Sequence, residues 1–345
     1  MAKTNSGNFF EDYRLGQRIQ HGVPRTVSGG ERALYHALYP ARHALHSSDE
    51  FARACGLPAA PLDDLAAFHV VFGKTVPDVS LNAVANLGYA EGRFVNPVYP
   101  GDTLRAVSEV IGLKQNSNSK TGVVYVRSQG LNQRAEVVLE YVRWVMVRKR
   151  DLDAPAPAPE SVIPDLTRVV APDRLSLPAG LNFSNYDFAL AGEAHRLADY
   201  EIGEVIDHVD GVTVEEAEHM MATRLWQNTA KVHFDATFRE GGQRLIYGGH
   251  VISMARALSF NGLANAQIIA GLNAGAHANP CFAGDTVKAW SEVLDKAETP
   301  APGVGALRLR LVATKGGAAG QLRDTSGRYL PHVLLDLDYW VLMPV

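Results

Sequence analysis

Asn96-Pro97-Val98-Tyr99-Pro100-Gly101-Asp102-Thr103-Leu104-Arg105-Ala106-Val107-Ser108-Glu109-Val110 returns, from 96 to 279 and so 183 residues on, as Asn279-Pro280-Cys281-Phe282-Ala283-Gly284-Asp285-Thr286-Val287-Lys288-Ala289-Trp290-Ser291-Glu292-Val293. Each stretch passes from a proline-containing turn through Gly-Asp-Thr into a run with strand-like alternation. Upstream, Asp12-Tyr13-Arg14-Leu15-Gly16 matches Asp199-Tyr200-Glu201-Ile202-Gly203, from 12 to 199 and so 187 residues on, and the same step carries His46 onto His233. Solenoid repeats run to about 20 to 50 residues, so a unit this long means two domain-sized copies of one fold. Function is then to be sought in what one copy has and the other lacks.

The boundary between copies is marked by Asp151-Leu152-Asp153-Ala154-Pro155-Ala156-Pro157-Ala158-Pro159-Glu160. Alternating prolines can neither feed a sheet ladder nor continue a helix. The expected division is residues 1–150 as the first copy, 151–197 as a linker and inter-domain segment, and 198–345 as the second copy. The aromatic residues Phe183, Tyr186 and Phe188 suggest that the inter-domain segment packs across both copies.

Within each copy the periodicities follow one order. A helix is predicted over Glu215 to Trp226 with Thr213 as N-cap, and its counterpart over Gly30 to Tyr39 behind Ser28. A second helix opens at Gly248-Gly249, with Val251, Met254, Ala255 and Leu258 on one face. Strand signals follow: Leu307, Leu309 and Leu311 alternate with Arg308 and Arg310, and Val333 to Leu342 carries Asp336 and Asp338 on one face; an apolar stretch, Val142 to Val147, ends the first copy ahead of the linker. The fold class is α+β, in each copy a meander of antiparallel strands with a long helix laid on the sheet.

A 345-residue chain that is 46% hydrophobic can supply two cores. Its net charge of -4 offers no basic field for nucleic acid. Cys55 and Cys281, the only cysteines, cannot make a disulfide framework or a thiolate zinc site. Residues Met1 to Asn8 lack the apolar core of a secretory signal, and no apolar run is long enough to span a membrane, so the expected location is the cytoplasm. His36, His43 and His46 lack carboxylate or thiolate partners at metal-site spacing, and no metal is expected.

Trp226-Gln227-Asn228-Thr229-Ala230-Lys231-Val232-His233-Phe234-Asp235 follows the first helix of the second copy, and Tyr247-Gly248-Gly249-His250 opens its second. The order of elements, the Gly-Asp-Thr strand starts and the placement of His233 resemble the MaoC-like, R-specific enoyl-CoA hydratase family, over nearly all of the chain apart from the linker region. The resemblance implies two fused hotdog domains, a double hotdog with antiparallel sheets each wrapped around a long central helix, and no cofactor, since CoA belongs to the substrate. The family's short motif is Asp, four residues, His, one residue, Asp. His233 and Asp235 match two positions, and Asn228 stands where the catalytic Asp is expected. The length, the eroded first copy and the Asn228 variant most resemble the branch that hydrates mesaconyl-CoA to β-methylmalyl-CoA.

Adding water across a double bond conjugated to a thioester needs a base for the water, an acid for the α-carbon and donors for the enolate-like oxygen. An Asp/His pair supplies both relays, whereas an Asn can only hold water or substrate through its amide. His233 is therefore the expected main acid/base, Asn228 the water holder, and the backbone N–H groups near Gly249 the oxyanion donors. A distal carboxylate on the substrate would need a cation, for which Lys231, Arg256 and His250 are candidates; Asp235 reads more readily as a structural hydrogen-bonder. In the first copy His46, Asp49 and Phe51 keep the landmark, but Ala41 takes the position of Asn228, and Pro61-Leu62-Asp63-Asp64-Leu65 lacks the glycines. That copy is expected to serve as scaffold and acyl-CoA pocket. Three other readings stay open: an R-specific hydratase of longer chains, an acyl-CoA thioesterase, and a non-catalytic acyl-CoA binding protein, with homo-oligomerisation undecided.

Overall fold

Gly101 and Gly284, the glycines of the two Gly-Asp-Thr landmarks, both hold a left-handed backbone, with φ of 103° and 91°. A side chain there would strain the turn. The Asp102 and Asp285 carboxylates fold back to accept from the N–H groups of Tyr99 at 2.9 Å and Phe282 at 2.8 Å, and a strand leaves each turn at the following threonine. The repeated motif is thus a turn that starts a strand, built identically twice.

A computed structural model describes residues 3–316 and 319–345; Met1 and Ala2, included in the signal reading above, lie outside the described residues. The first half runs β1 (Arg18–Thr26), α1 (Gly29–Leu38), α2 (Ala44–Ser47), α3 (Asp49–Ala54), α4 (Asp64–Thr75), β2 (Ala83–Phe94), β3 (Thr103–Gln115), β4 (Thr121–Leu131) and β5 (Val137–Arg148). A segment carrying one short helix, α5 (Phe188–Ala191), leads to the second half: β6 (Val205–Thr213), α6 (Glu216–Leu225), α7 (Lys231–Phe234), α8 (Gly248–Leu258), α9 (Phe260–Leu263), β7 (Ile268–His277), β8 (Thr286–Glu298), β9 (Val304–Lys315) and β10 (Val333–Pro344).

The strands make one antiparallel sheet in the order β1-β3-β4-β5-β2-β7-β10-β9-β8-β6, which reads as the same pattern mirrored about the β2–β7 junction. There Tyr89 pairs with Gly275 and Ala90 with Ala274, so neither half ends in a free edge at the seam. The fold is the expected α+β arrangement. Helix α4 packs on β1, β3 and β5, and α8 packs on β6, β8, β9 and β10. Each helix is buried along nearly its whole length, as its apolar composition requires. A single core joins the halves through residues such as Phe68, Tyr89, Trp226, Tyr247 and Tyr339.

The inter-domain segment crosses both halves. Leu175, Leu181, Phe183 and Tyr186 pack against Phe51 and Cys55 of the first half and Ile268, Trp340 and Leu342 of the second. On the outer face of β9 and β10, Arg308 pairs bidentately with Asp338, and Arg310 with Asp336, which accounts for the charged alternation in those strands. Ser28 caps α1 by accepting from Gly30, whereas the cap expected at Thr213 does not form: Thr213 ends β6 and bonds the Thr286 hydroxyl, and α6 starts behind Glu215 without a side-chain cap. The strand runs on through Thr213, which pairs with Thr286 in the ladder, and Val214 and Glu215 separate it from the helix. Among the described residues no helix is long and apolar enough to cross a membrane.

Candidate active site

Helix α6 stops where Gln227 turns left-handed, at φ 56°. The reversal buries Asn228, whose own N–H returns to the Thr223 carbonyl and whose side-chain oxygen accepts from Ala230. The amide nitrogen of Asn228 is thereby the end left to serve a neighbour. One turn of helix, α7, then presents His233. Its Nδ1 lies 2.7 Å from the carbonyl oxygen of Leu245, while the Leu245 N–H donates to Val232. A carbonyl only accepts, so Nδ1 carries the proton and Nε2 keeps its lone pair. Burial holds this imidazole down at about 4, against the upward pull of the Leu245 carbonyl, so the ring is neutral near pH 7 and can act as a base.

The N-terminus of α8 closes the same space. Tyr247 is held by its backbone N–H to Nε2 of the buried His219, 2.9 Å away, which aims the first turn of α8 inward. The first N–H groups of a helix have no partner within it. A side chain at Gly248 would come within 2.4 Å of the His277 ring, and one at Gly249 within 2.4 Å of the Tyr247 ring. Both glycines are demanded by these close approaches.

Asn228, His233, Tyr247, Gly248 and His277 line a cavity of about 270 Å³ whose opposite wall belongs to the first half: Phe72, Ser80, Asn86, Tyr89 and Arg143. That volume lies just under the usual range for ligand sites, which suits a short acyl group. Tyr89 and His277 meet across the seam, hydroxyl to Nε2, at 3.3 Å. Arg143 is fully buried on the inner face of β5, its guanidinium carbon 4.2 Å above the centre of the Phe72 ring.

Of the residues expected from sequence, His233 and Asn228 come together at the cavity. Gly248 forms its wall, with Gly249 not among the lining residues. The three candidate cations and Asp235 are not brought there. Lys231 is exposed on α7, Asp235 is exposed and accepts from Thr237, His250 is fully buried against the Tyr39 hydroxyl at 2.9 Å, and Arg256 donates to Ser259 and the Ala266 carbonyl. Nearness in sequence misled here, because successive residues of α8 point to different sides. Arg143, His277, Tyr89 and Tyr247 were not anticipated. The signal for Arg143 existed: within the stretch taken as apolar, strand alternation puts it on the inward face with Tyr141 and Val145.

In the first half Gln267 sits against the corresponding landmark: its side chain accepts from the Leu45 N–H and its main-chain carbonyl meets His46. Among the described residues no group of three or more His, Cys, Asp or Glu side chains is placed to hold a metal.

A family model described as mesaconyl-CoA hydratase matches residues 1–318. A Cereibacter sphaeroides protein named mesaconyl-CoA hydratase is 75% identical over 343 residues, 99% of each chain. A Chloroflexus aurantiacus protein named beta-methylmalyl-CoA dehydratase is 61% identical over 349 residues, again 99% of each. Among solved structures, one from Chloroflexus aurantiacus named as a MaoC domain protein dehydratase has a TM-score of 0.96 at 60% identity and covers 100% of this chain and 99% of its own. A Mycobacterium tuberculosis protein described as a double hotdog has a TM-score of 0.77 at 24% identity and 98% coverage of both, a likeness of fold.

Proposed function

The chain belongs to the mesaconyl-CoA hydratase family, and from that membership we propose that it is a hydro-lyase interconverting mesaconyl-CoA and β-methylmalyl-CoA. The observation that carries this reading is identity of 75% maintained over 99% of both chains.

The cavity supports a specific division of labour. His233 Nε2 takes a proton from the attacking water while the Asn228 amide nitrogen holds that water against the carbon β to the thioester. The oxygen adds to that carbon, and the electron pair of the double bond moves to the thioester oxygen as an enolate. The N–H groups of the Gly248–Gly249 turn face this charge, a task whose loss typically costs about 100 to 1,000-fold in rate. The protonated His233, an acid strengthened by its burial, then delivers the proton to the α-carbon, and the enolate collapses to the thioester. Water is consumed, the ring returns to neutral, and the reverse sequence gives dehydration. In this reading a neutral Asn suffices because one imidazole makes both transfers.

Residues 198–345 supply the proton chemistry and residues 1–150 the far wall of the acyl pocket. Incubating the protein with mesaconyl-CoA and following the enoyl-thioester absorbance tests the proposal. Loss of the absorbance with formation of β-methylmalyl-CoA is expected. Consumption of crotonyl-CoA with mesaconyl-CoA untouched would transfer the reading to the general R-specific hydratases.

A further inference from the structure

Arg143 is a buried cation with nothing to answer it. Only Nη2 is engaged, donating to the Thr75 hydroxyl at 2.8 Å and, at 3.4 Å, to that of Ser80. Nε and Nη1 have no hydrogen-bond partner, and no carboxylate pairs with the guanidinium, among the described residues. Asn86, on the same wall, leaves both side-chain atoms unsatisfied as well. Buried charges and amides are ordinarily paired, because removing them from water is costly without a partner.

The fold does not require a cation there. In the second half Tyr339-Trp340-Val341-Leu342 repeats the pattern of Arg143-Trp144-Val145-Met146. The strand partners agree: Arg143 faces Tyr89 across β5 and β2, and Tyr339 faces Leu272 across β10 and β7, where 272 is Tyr89 carried on by the 183-residue step. The same framework position therefore takes a phenol in one half and a guanidinium only where it looks into the cavity shared with His233.

We propose that Arg143 is the residue that selects dicarboxylic mono-thioesters, its unpartnered edge closing a two-bond fork on the distal carboxylate of the acyl group while Phe72 and Thr75 hold the guanidinium plane. This rests on the hydratase reading for the identity of the acyl group. A planar fork matches a carboxylate with two parallel bonds, which a lysine ammonium cannot do. Asn86 offers its amide to the same carboxylate. Specificity then comes from the first half and proton transfer from the second.

The test compares mesaconyl-CoA with tiglyl-CoA, in which a methyl replaces the carboxylate, across the wild type, Arg143→Gln and Arg143→Lys, with melting curves to verify folding. Arg143→Gln should lower kcat/KM for mesaconyl-CoA by roughly 1,000 to 10,000-fold while tiglyl-CoA holds or improves. Arg143→Lys, which keeps charge without the fork, should lose part of that preference, and it carries the test should the glutamine variant not fold. A parallel binding measurement uses succinyl-CoA and butyryl-CoA, neither of which can be hydrated, and the wild-type preference for succinyl-CoA should vanish in Arg143→Gln and shrink in Arg143→Lys. An equal fall on both enoyl thioesters, or a succinyl preference that is absent in wild type or unaltered in folded variants, overturns the assignment. Wild type that prefers succinyl-CoA through Arg143 yet leaves mesaconyl-CoA unhydrated would keep the assignment and sink the hydratase reading instead.

Discussion

His46 stands 3.0 Å, through Nε2, from the main-chain carbonyl of Gln267, so the ring nitrogen that would meet a substrate in the first half is already engaged. Its counterpart His233 uses Nδ1 for the structural bond and leaves Nε2 to the cavity. One landmark, kept in both copies, has two opposite employments.

His233→Ala should accordingly reduce turnover of mesaconyl-CoA by roughly 100 to 10,000-fold with the fold intact, the range for losing a general acid/base. His46→Ala should leave kcat near wild type and lower the melting temperature, since it opens a hole in a buried hydrogen-bonded site. Steady-state kinetics and calorimetry of both variants check the pair; comparable kinetic damage from the two would place proton chemistry in both halves.

The pH profile carries a signature of the low value at His233. Its base form persists down to about 4, so kcat/KM should be flat through neutrality and fall only in an acid limb near that value, far below the 6.5 of a free imidazole. A limb centred between pH 6 and 7 would mean that a different group, or a solvated His233, is titrating.

Stability should respond to pH with the same sign. Burial depresses His69 and His250 to about 3 and His277 to about 4, so the unfolded chain takes up protons that the folded chain refuses. Their contribution is complete above pH 6.5 and is lost as pH falls from there toward the folded values. His46 runs the other way: burial pulls it down, but the Asp64 carboxylate outweighs that and lifts it to about 9, so its contribution is full below 6.5 and fades as pH rises through 9. Melting temperatures measured from mildly acidic to alkaline buffer should therefore drop on the acid side first, and His46→Ala should blunt the alkaline decline.

Gly248→Ala places a methyl within 2.4 Å of His277. The ring is wedged beside Tyr89 and cannot withdraw without disturbing the seam. Overpacking of this kind costs about 1 to 3 kcal/mol, and it also displaces the first turn of α8 from the cavity wall. The expected variant melts earlier and loses kcat more than it raises KM. An active, fully stable Gly248→Ala protein would show that the α8 entry is not under this constraint.

Residues 1–150 expressed alone should self-associate, because they expose the edge of β2, where Tyr89, Ala90, Gly92 and Arg93 pair with β7, along with the apolar surface that meets α6 and α8. Size-exclusion chromatography with light scattering would reveal the association, and a well-behaved monomer would speak against it.

Much of this was visible in the residues. Gly101-Asp102-Thr103 and Gly284-Asp285-Thr286 mark strand starts because their backbone conformation and carboxylate cap are local. The β2–β7 join and the inter-domain packing were foreseeable in kind, though not in register, since pairing between distant strands leaves no short-range mark. Thr213 looked like a helix cap because threonine suits that place, and the strand took it. The cavity was half legible: Asn228 and His233 share one short loop, whereas Arg143 arrives from a strand 90 residues earlier, 143 to 233, and was hidden among the apolar residues that flank it on both faces.

A symmetric pair of identical subunits must make every change twice, so an asymmetric guest, thioester at one end and carboxylate at the other, would force each binding site to carry both readers. Covalent joining across β2 and β7 lifts that restriction. One pseudo-equivalent histidine can be tied to the main chain, as Gln267 ties His46, while the other faces a cavity that draws on unlike halves. In such a molecule, alterations of preference are to be sought by mutating one half and alterations of rate by mutating the other, a separation that a true homodimer would not allow.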